Sequence, residues 1–333
     1  MSILLLTIGE GQLSSSQVEA IQATMPSYLQ FVHTRDREVM KPLLPEVEVA
    51  VGWIEPKWIL EMPNLRWLQQ WGAGADWLLK FPELQRRPFI LTNVSGIHAV
   101  PISEHIFAVM LNYGRFLGNA HNAQQAHVWA SFDQATESEG SFAFSRNQIT
   151  ELADKTMLLL GVGAIGERTA KLGQAFDMHV IGLRRNPERP SRYVDEMMGL
   201  GQLLDVVPRA DFIVSSLPYT TATKHIIGRR EIAAMKPTAF FVNVGRGKTV
   251  DEAALLAALQ QRQIGGAALD VFEEEPLPDD APLWQLDNLL ITSHYAGITP
   301  RYHERAVAIL LDNLRRYGNE RPLRNVVNKA AGY

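Results

Sequence analysis

Short, unbroken apolar runs recur along this chain, and amphipathic stretches separate them. The early runs cover 3–8, 47–53, 65–70 and 89–94; the later ones cover 156–160, 179–183, 211–217, 239–244, 267–272 and 289–292. A strand with one face in water alternates apolar and polar residues, because successive side chains point to opposite faces. Runs without that alternation suit strands covered on both faces, as in parallel sheets flanked by helices. The stretches between them carry the helical period. Ile165, Thr169, Leu172 and Phe176 share one face, as do Val307, Leu310, Leu311, Leu314 and Tyr317. For that last helix, Thr299 is the expected N-cap, with Pro300 in its first turn and Gly318 just past its end. A long helix is expected over 102–116, followed by a polar, irregular stretch at 131–148. Strands alternating with helices predict an α/β protein with parallel sheets. At 333 residues the chain has room for about two domains.

Composition acts mainly by exclusion. Basic and acidic residues nearly balance, 32 against 36, and no block of like charge stands out. Nothing therefore recommends nucleic acid or an anionic membrane as a partner. With no cysteine, disulfides, thiol catalysis and thiolate-ligated metals are excluded, and no metal site is expected. The apolar start lacks a basic flank and ends at Gly9-Glu10, unlike a targeting signal. No run approaches the roughly 18 apolar residues of a membrane span. The expected location is the cytoplasm.

The sequence Gly161-Val162-Gly163-Ala164-Ile165-Gly166 matches G-x-G-x-x-G. The pattern alone is weak, but here an apolar strand leads in and an amphipathic helix leads out. In that setting Gly161 permits a tight turn, Gly163 lets backbone approach a pyrophosphate, and Gly166 lets helix and sheet pack closely. Ala164 and Ile165 open the helix, whose free N–H groups and positive dipole end would face the diphosphate.

Three later segments each place a polar side chain just after an apolar run: Arg246, then Asp270 with Glu275, then His294. The C-terminal edge of an open α/β sheet is where ligands bind. A guanidinium can grip a carboxylate and polarise a keto oxygen as one planar fork. An imidazolium can donate a proton to that oxygen as hydride reaches carbon. A carboxylate can hold the imidazole's orientation and stabilise its protonated form.

At these residues the chain resembles the D-isomer-specific 2-hydroxyacid dehydrogenase family, through most of its length. The resemblance is clearest in 161–166, Leu217-Pro218, 242–247, 269–276 and 294–297. It implies Arg246 as substrate clamp, Glu275 as partner and His294 as acid/base. It also implies cofactor contacts from Leu217, Pro218, Val244 and Asp270, the last to the nicotinamide carboxamide. Upstream, Gly72-Ala73-Gly74-Ala75-Asp76 looks like the family's substrate loop, with N–H groups around Ala73 and Gly74 holding the carboxylate as an anion nest. Residues 95–105 look like the crossover into the cofactor domain, and Trp129 resembles a family tryptophan on that approach. Trp53 is left open between pocket and core.

The fold the resemblance implies is two doubly wound parallel-sheet domains, a Rossmann cofactor domain inserted into a flavodoxin-like substrate domain. The cofactor domain would cover 101–294, and the substrate domain 1–100 with 295–333, closing on ligand about hinges at 99–101 and 295–297. A homodimer is implied as well. Two residues depart from the family pattern: Ser293 stands where proline is usual, and Gly245 fills a more variable position. Glu275 argues against the formate-dehydrogenase relatives, which lack it.

Cofactor choice is read from one position. An NAD-binding unit places an acidic residue about 20 positions past the first glycine, where it accepts from the ribose hydroxyls. Here Arg184 and Arg185 stand in that place, which suits a 2′-phosphate and predicts NADP(H) over NAD(H). The expected reaction is NADPH-driven reduction of a small 2-keto acid, of the glyoxylate or hydroxypyruvate type, to a D-2-hydroxy acid. A dehydrogenase of bulkier 2-keto acids and a dinucleotide-sensing regulator on the same fold stay open as alternatives.

Overall fold

The computed structural model describes residues 2–129 and 149–332. The stretch 131–148, expected to be an irregular loop, lies outside them. The chain divides into two compact units, Met1–His98 with Ile298–Tyr333, and Ala99–Gly297.

The first unit holds a five-stranded sheet: β1 (Ile3–Leu6), β2 (Gln30–His33), β3 (Val47–Gly52), β4 (Trp67–Gln70) and β5 (Ile90–Thr92). The order is β2-β1-β3-β4-β5, every pairing parallel. The strand pleat explains the unbroken apolar runs. In β1, Leu4 and Leu6 enter one core cluster while Ile3 and Leu5 enter another, so one run serves both faces. The terminal helix Tyr302–Gly318 adds Ala306, Val307, Leu310 and Leu314 to the cluster that contains Leu4 and Leu6.

The second unit holds seven parallel strands: β6 (Thr156–Leu160), β7 (His179–Arg184), β8 (Glu196–Gly199), β9 (Phe212–Ser215), β10 (Phe240–Asn243), β11 (Gly266–Leu269) and β12 (Leu289–Ile291). Their order, β12-β11-β10-β9-β6-β7-β8, is doubly wound: the chain steps outward from β6 to β8, then returns to build the other half from β9. The switch point therefore lies between β6 and β9, the place where such sheets bind ligands. Leu158 and Leu160 face one core and Met157 and Leu159 the other.

Several expectations need correction. Strands β2 and β8 were not expected; both are sheet edges and partly exposed, so neither carries an unbroken apolar run. The long helix is Ala99–Gly114 rather than 102–116. Thr299 is not an N-cap: the last helix starts at Tyr302, and Thr299 instead accepts from the Arg301 N–H through Oγ1 at 3.3 Å. Gly318 is that helix's last residue. The unit boundaries fall at 98/99 and 297/298, not at 100/101 and 294/295. Ala99 begins a helix whose Ile102 and Ile106 belong to a core of the second unit. Tyr295 and Ala296 are tied to Asp270 of that same unit by their N–H groups.

Candidate active site

The glycine turn after β6 has the expected stereochemistry. Gly161 sits at φ +96°, which glycine adopts without a Cβ penalty. A Cβ on Gly166 would lie 2.2 Å from the Gly161 carbonyl oxygen, so any side chain there would push the helix Ala164–Ala175 off the turn. Gly163 is different: a Cβ there would meet nothing within 4 Å. The protein's own packing does not require that glycine, whereas a ligand lying on the turn would. Ala164 and Ile165 are the first two helical residues, whose N–H groups have no partner within the helix. Ser216, after β9, donates to the Gly161 carbonyl at 3.0 Å, which sets Leu217 and Pro218 beside the turn at the switch point.

Arg184 is the last residue of β7, and no carboxylate occupies that position. Its side chain is only 13% exposed. One Nη donates to the Arg189 carbonyl at 3.2 Å and lies 3.9 Å from Glu167. Glu167 is itself held by the Ser191 hydroxyl at 2.6 Å. Arg185 is exposed. The open Gly163 and the free helix end fit the diphosphate of a nicotinamide dinucleotide.

Arg246 follows β10 between two glycines, and each has a packing reason. A Cβ on Gly245 would come 2.5 Å from the Leu217 carbonyl oxygen, and one on Gly247 would sit 1.9 Å from the Phe272 carbonyl. The backbone around Arg246 is thus wedged between the loops that follow β9 and β11. Its own carbonyl accepts from Asn243 Nδ2 at 3.2 Å and from Thr249 Oγ1 at 2.6 Å.

The structure brings His294 and Glu275 together: Nδ1 to Oε2 is 2.7 Å. The other oxygen of Glu275 accepts from the Phe272 N–H at 3.0 Å, which fixes the carboxylate. His294 has φ +54°, a left-handed conformation uncommon for a side-chain-bearing residue. Asp270 holds it there. The Asp270 carbonyl accepts the His294 N–H at 2.9 Å. Its carboxylate, 3% exposed, accepts from Thr292 Oγ1 at 2.6 Å and from the N–H groups of Tyr295 and Ala296. Asp270, for which a cofactor contact was expected, therefore also anchors the histidine's loop. Sequence reasoning missed two neighbours. Thr292 Oγ1 lies 3.4 Å from His105 Nε2, and the His105 ring meets Tyr295 edge-on. Burial pushes His105 below the ordinary imidazole value, with the Asp270 charge opposing. A polar residue closing the apolar run of β12 was the only signal for Thr292.

In the first unit, Ala73 and Gly74 follow β4, both partly exposed. Trp53, left open between pocket and core, is 59% exposed. Its ring covers Gly72, where a Cβ would come 2.4 Å from Cη2.

Residues 107–296 match the family model described as D-isomer specific 2-hydroxyacid dehydrogenase, NAD binding domain. The chain is 38% identical to D-3-phosphoglycerate dehydrogenase of Methanocaldococcus jannaschii, over 77% of its own length but 46% of the other's, about half of that relative. It is 33% identical to glyoxylate/hydroxypyruvate reductase B of Salmonella paratyphi A, over 76% of this chain and 75% of that one. Among solved structures it resembles the NADPH-dependent glyoxylate/hydroxypyruvate reductase of Sinorhizobium meliloti, in complex with NADP and sulfate. That match has a TM-score of 0.80 at 26% identity and covers 100% of both chains.

Proposed function

Because this chain belongs to the D-isomer-specific 2-hydroxyacid dehydrogenase family, which are NAD(P)-dependent oxidoreductases, we propose that it reduces small 2-keto acids of the glyoxylate and hydroxypyruvate type to D-2-hydroxy acids, preferring NADPH. The observation that carries this reading is the His294–Glu275 pair at the C-terminal edge of the dinucleotide-binding sheet. Glu275 takes Nδ1, so Nε2 is the nitrogen left to give a proton to the keto oxygen. Arg246, whose backbone is wedged on both sides, draws the substrate's carboxylate and keto oxygen to one planar guanidinium. The N–H groups of Ala73 and Gly74 are the anion nest for the carboxylate. Gly161, Gly163, Ala164, Ile165 and Gly166 hold the pyrophosphate, with Leu217, Pro218 and Val244 along the dinucleotide and Asp270 at the carboxamide. The nicotinamide, when bound, supplies the hydride to the keto carbon. The names of the Salmonella and Sinorhizobium relatives favour small acids over bulky ones.

The NADPH preference rests on Arg184, supported by Arg185. A carboxylate at the end of β7 would repel a 2′-phosphate; a guanidinium pairs with it. The test is NADPH oxidation with a panel of 2-keto acids, followed by kcat/KM for NADPH and NADH in wild type and Arg184→Asp. NADPH is expected to be favoured by about tenfold or more, which is about 1.4 kcal/mol, and the variant to lose most of that. A wild type that prefers NADH refutes the cofactor assignment. One that turns over no keto acid refutes the reaction.

A further inference from the structure

We propose that Gln70 is a positioning residue for substrate binding, acting with Trp77 and Asn93 to hold the 72–74 backbone so that its N–H groups face the substrate carboxylate. The proposal rests on the reading above that this loop receives that carboxylate. Four successive carbonyls are each taken by a side-chain donor. The Tyr302 hydroxyl donates to the Trp71 carbonyl. Gln70 Nε2 donates to Gly72 at 3.1 Å and to Gly74 at 2.5 Å. Asn93 Nδ2 donates to Ala73 at 2.7 Å. Gln70 is 4% exposed and Asn93 7%, at the ends of the paired strands β4 and β5, so these carbonyls are turned inward. In a trans peptide the next N–H points opposite to the carbonyl. Turning the carbonyls of Gly72 and Ala73 inward therefore turns the N–H groups of Ala73 and Gly74 outward. Those two N–H groups donate to nothing among the described residues.

Which end of the Gln70 amide faces the loop is decided by Trp77. Its indole N–H can only donate, and it does so to Gln70 Oε1 at 2.7 Å. That leaves Nε2 for the carbonyls. Tyr302 is equally committed as a donor, because burial pushes its hydroxyl up to about 12. Without the amide, the Gly74 carbonyl would lose its donor and the Gly72 carbonyl would keep only the Val94 N–H at 3.3 Å, so the peptides could rotate, which would take the N–H groups out of line.

The test compares wild type with Gln70→Glu, Trp77→Phe and Asn93→Ala, reading KM and kcat for glyoxylate, the Kd of NADPH and the melting temperature. A carboxylate at position 70 can still accept from Trp77 but, ionised, cannot donate to the two carbonyls. Gln70→Glu is expected to raise KM by about tenfold or more, with kcat within about threefold and NADPH affinity unchanged. Trp77→Phe frees the amide to flip, and Asn93→Ala releases one carbonyl; both should raise KM by roughly three- to tenfold. If Gln70→Glu does not fold, these two decide the matter. A lowered melting temperature with unchanged KM in the folded variants overturns the proposal and leaves the reaction standing. A wild type that reduces no 2-keto acid overturns the reaction, and this proposal with it.

Discussion

His294 combines an unusual backbone with an ordinary hydrogen bond. Its left-handed φ is maintained by Asp270, and the ring it presents is held through Nδ1 by Glu275. Replacing it should therefore remove the proposed proton donor without disturbing the glycine turn after β6. His294→Ala is expected to lower kcat by roughly 10²–10⁴-fold, the usual worth of a positioned general acid. NADPH titration of the variant should give a near-normal Kd, and near-normal turnover would discard the assignment. His105 makes a second prediction, this one about stability. Burial, the larger influence, holds its pKa below the ordinary 6.5, and the Asp270 charge only partly opposes this. The unfolded chain therefore binds this proton more tightly than the folded one. The contribution of neutral His105 is full above pH 6.5 and falls as pH drops from there towards the folded value, below which it levels off. Melting temperatures measured across that range should fall less steeply in His105→Gln than in wild type. Identical slopes would mean that the site does not carry the effect.

At the scale of elements, the glycines of one turn separate a ligand's requirements from the protein's. Gly166 abuts backbone, and backbone cannot swing aside as a flexible side chain can; Gly163 abuts nothing. Gly166→Ala should cost about 1–3 kcal/mol, the usual range for overpacking, seen as a lower denaturant midpoint. Gly163→Ala should melt like wild type but bind NADPH about tenfold more weakly, because the new methyl would occupy the approach of the pyrophosphate. Equal effects of the two changes on stability would contradict this division. Edge strands show a different logic. β8 has no continuous apolar run, yet it is pinned by charge: Glu196 accepts from Arg209 and His179, which hold its carboxyl down at about 2. Charged residues on an edge also discourage pairing with another sheet. Such a strand is poorly visible to hydropathy because it has little apolar surface to bury.

At the scale of the molecule, the unit Ala99–Gly297 is one continuous segment with its own core on each face of its sheet, whereas the other unit is assembled from both ends of the chain. The excised segment 99–297 should therefore melt cooperatively and bind NADPH within about fivefold of the whole chain, as a domain with its own core can. Failure of the soluble fragment to bind would show that the cofactor site needs the rest of the chain. Much of this architecture was legible in the sequence. Unbroken apolar runs report burial on both faces of a strand, and the spacing of Gly161, Gly163 and Gly166 reports a turn whose stereochemistry is local. The positions of Arg246, Glu275 and His294 after successive runs were legible for the same reason. What only the tertiary structure decided is which polar groups meet. Tyr302 reaches a carbonyl 231 residues away, and Thr292 meets His105 across 187 residues. Burial and turn stereochemistry are properties of short segments, so a sequence displays them. A hydrogen bond's partner depends on which strand ends the sheet order makes neighbours, and that order exists only once the chain has folded.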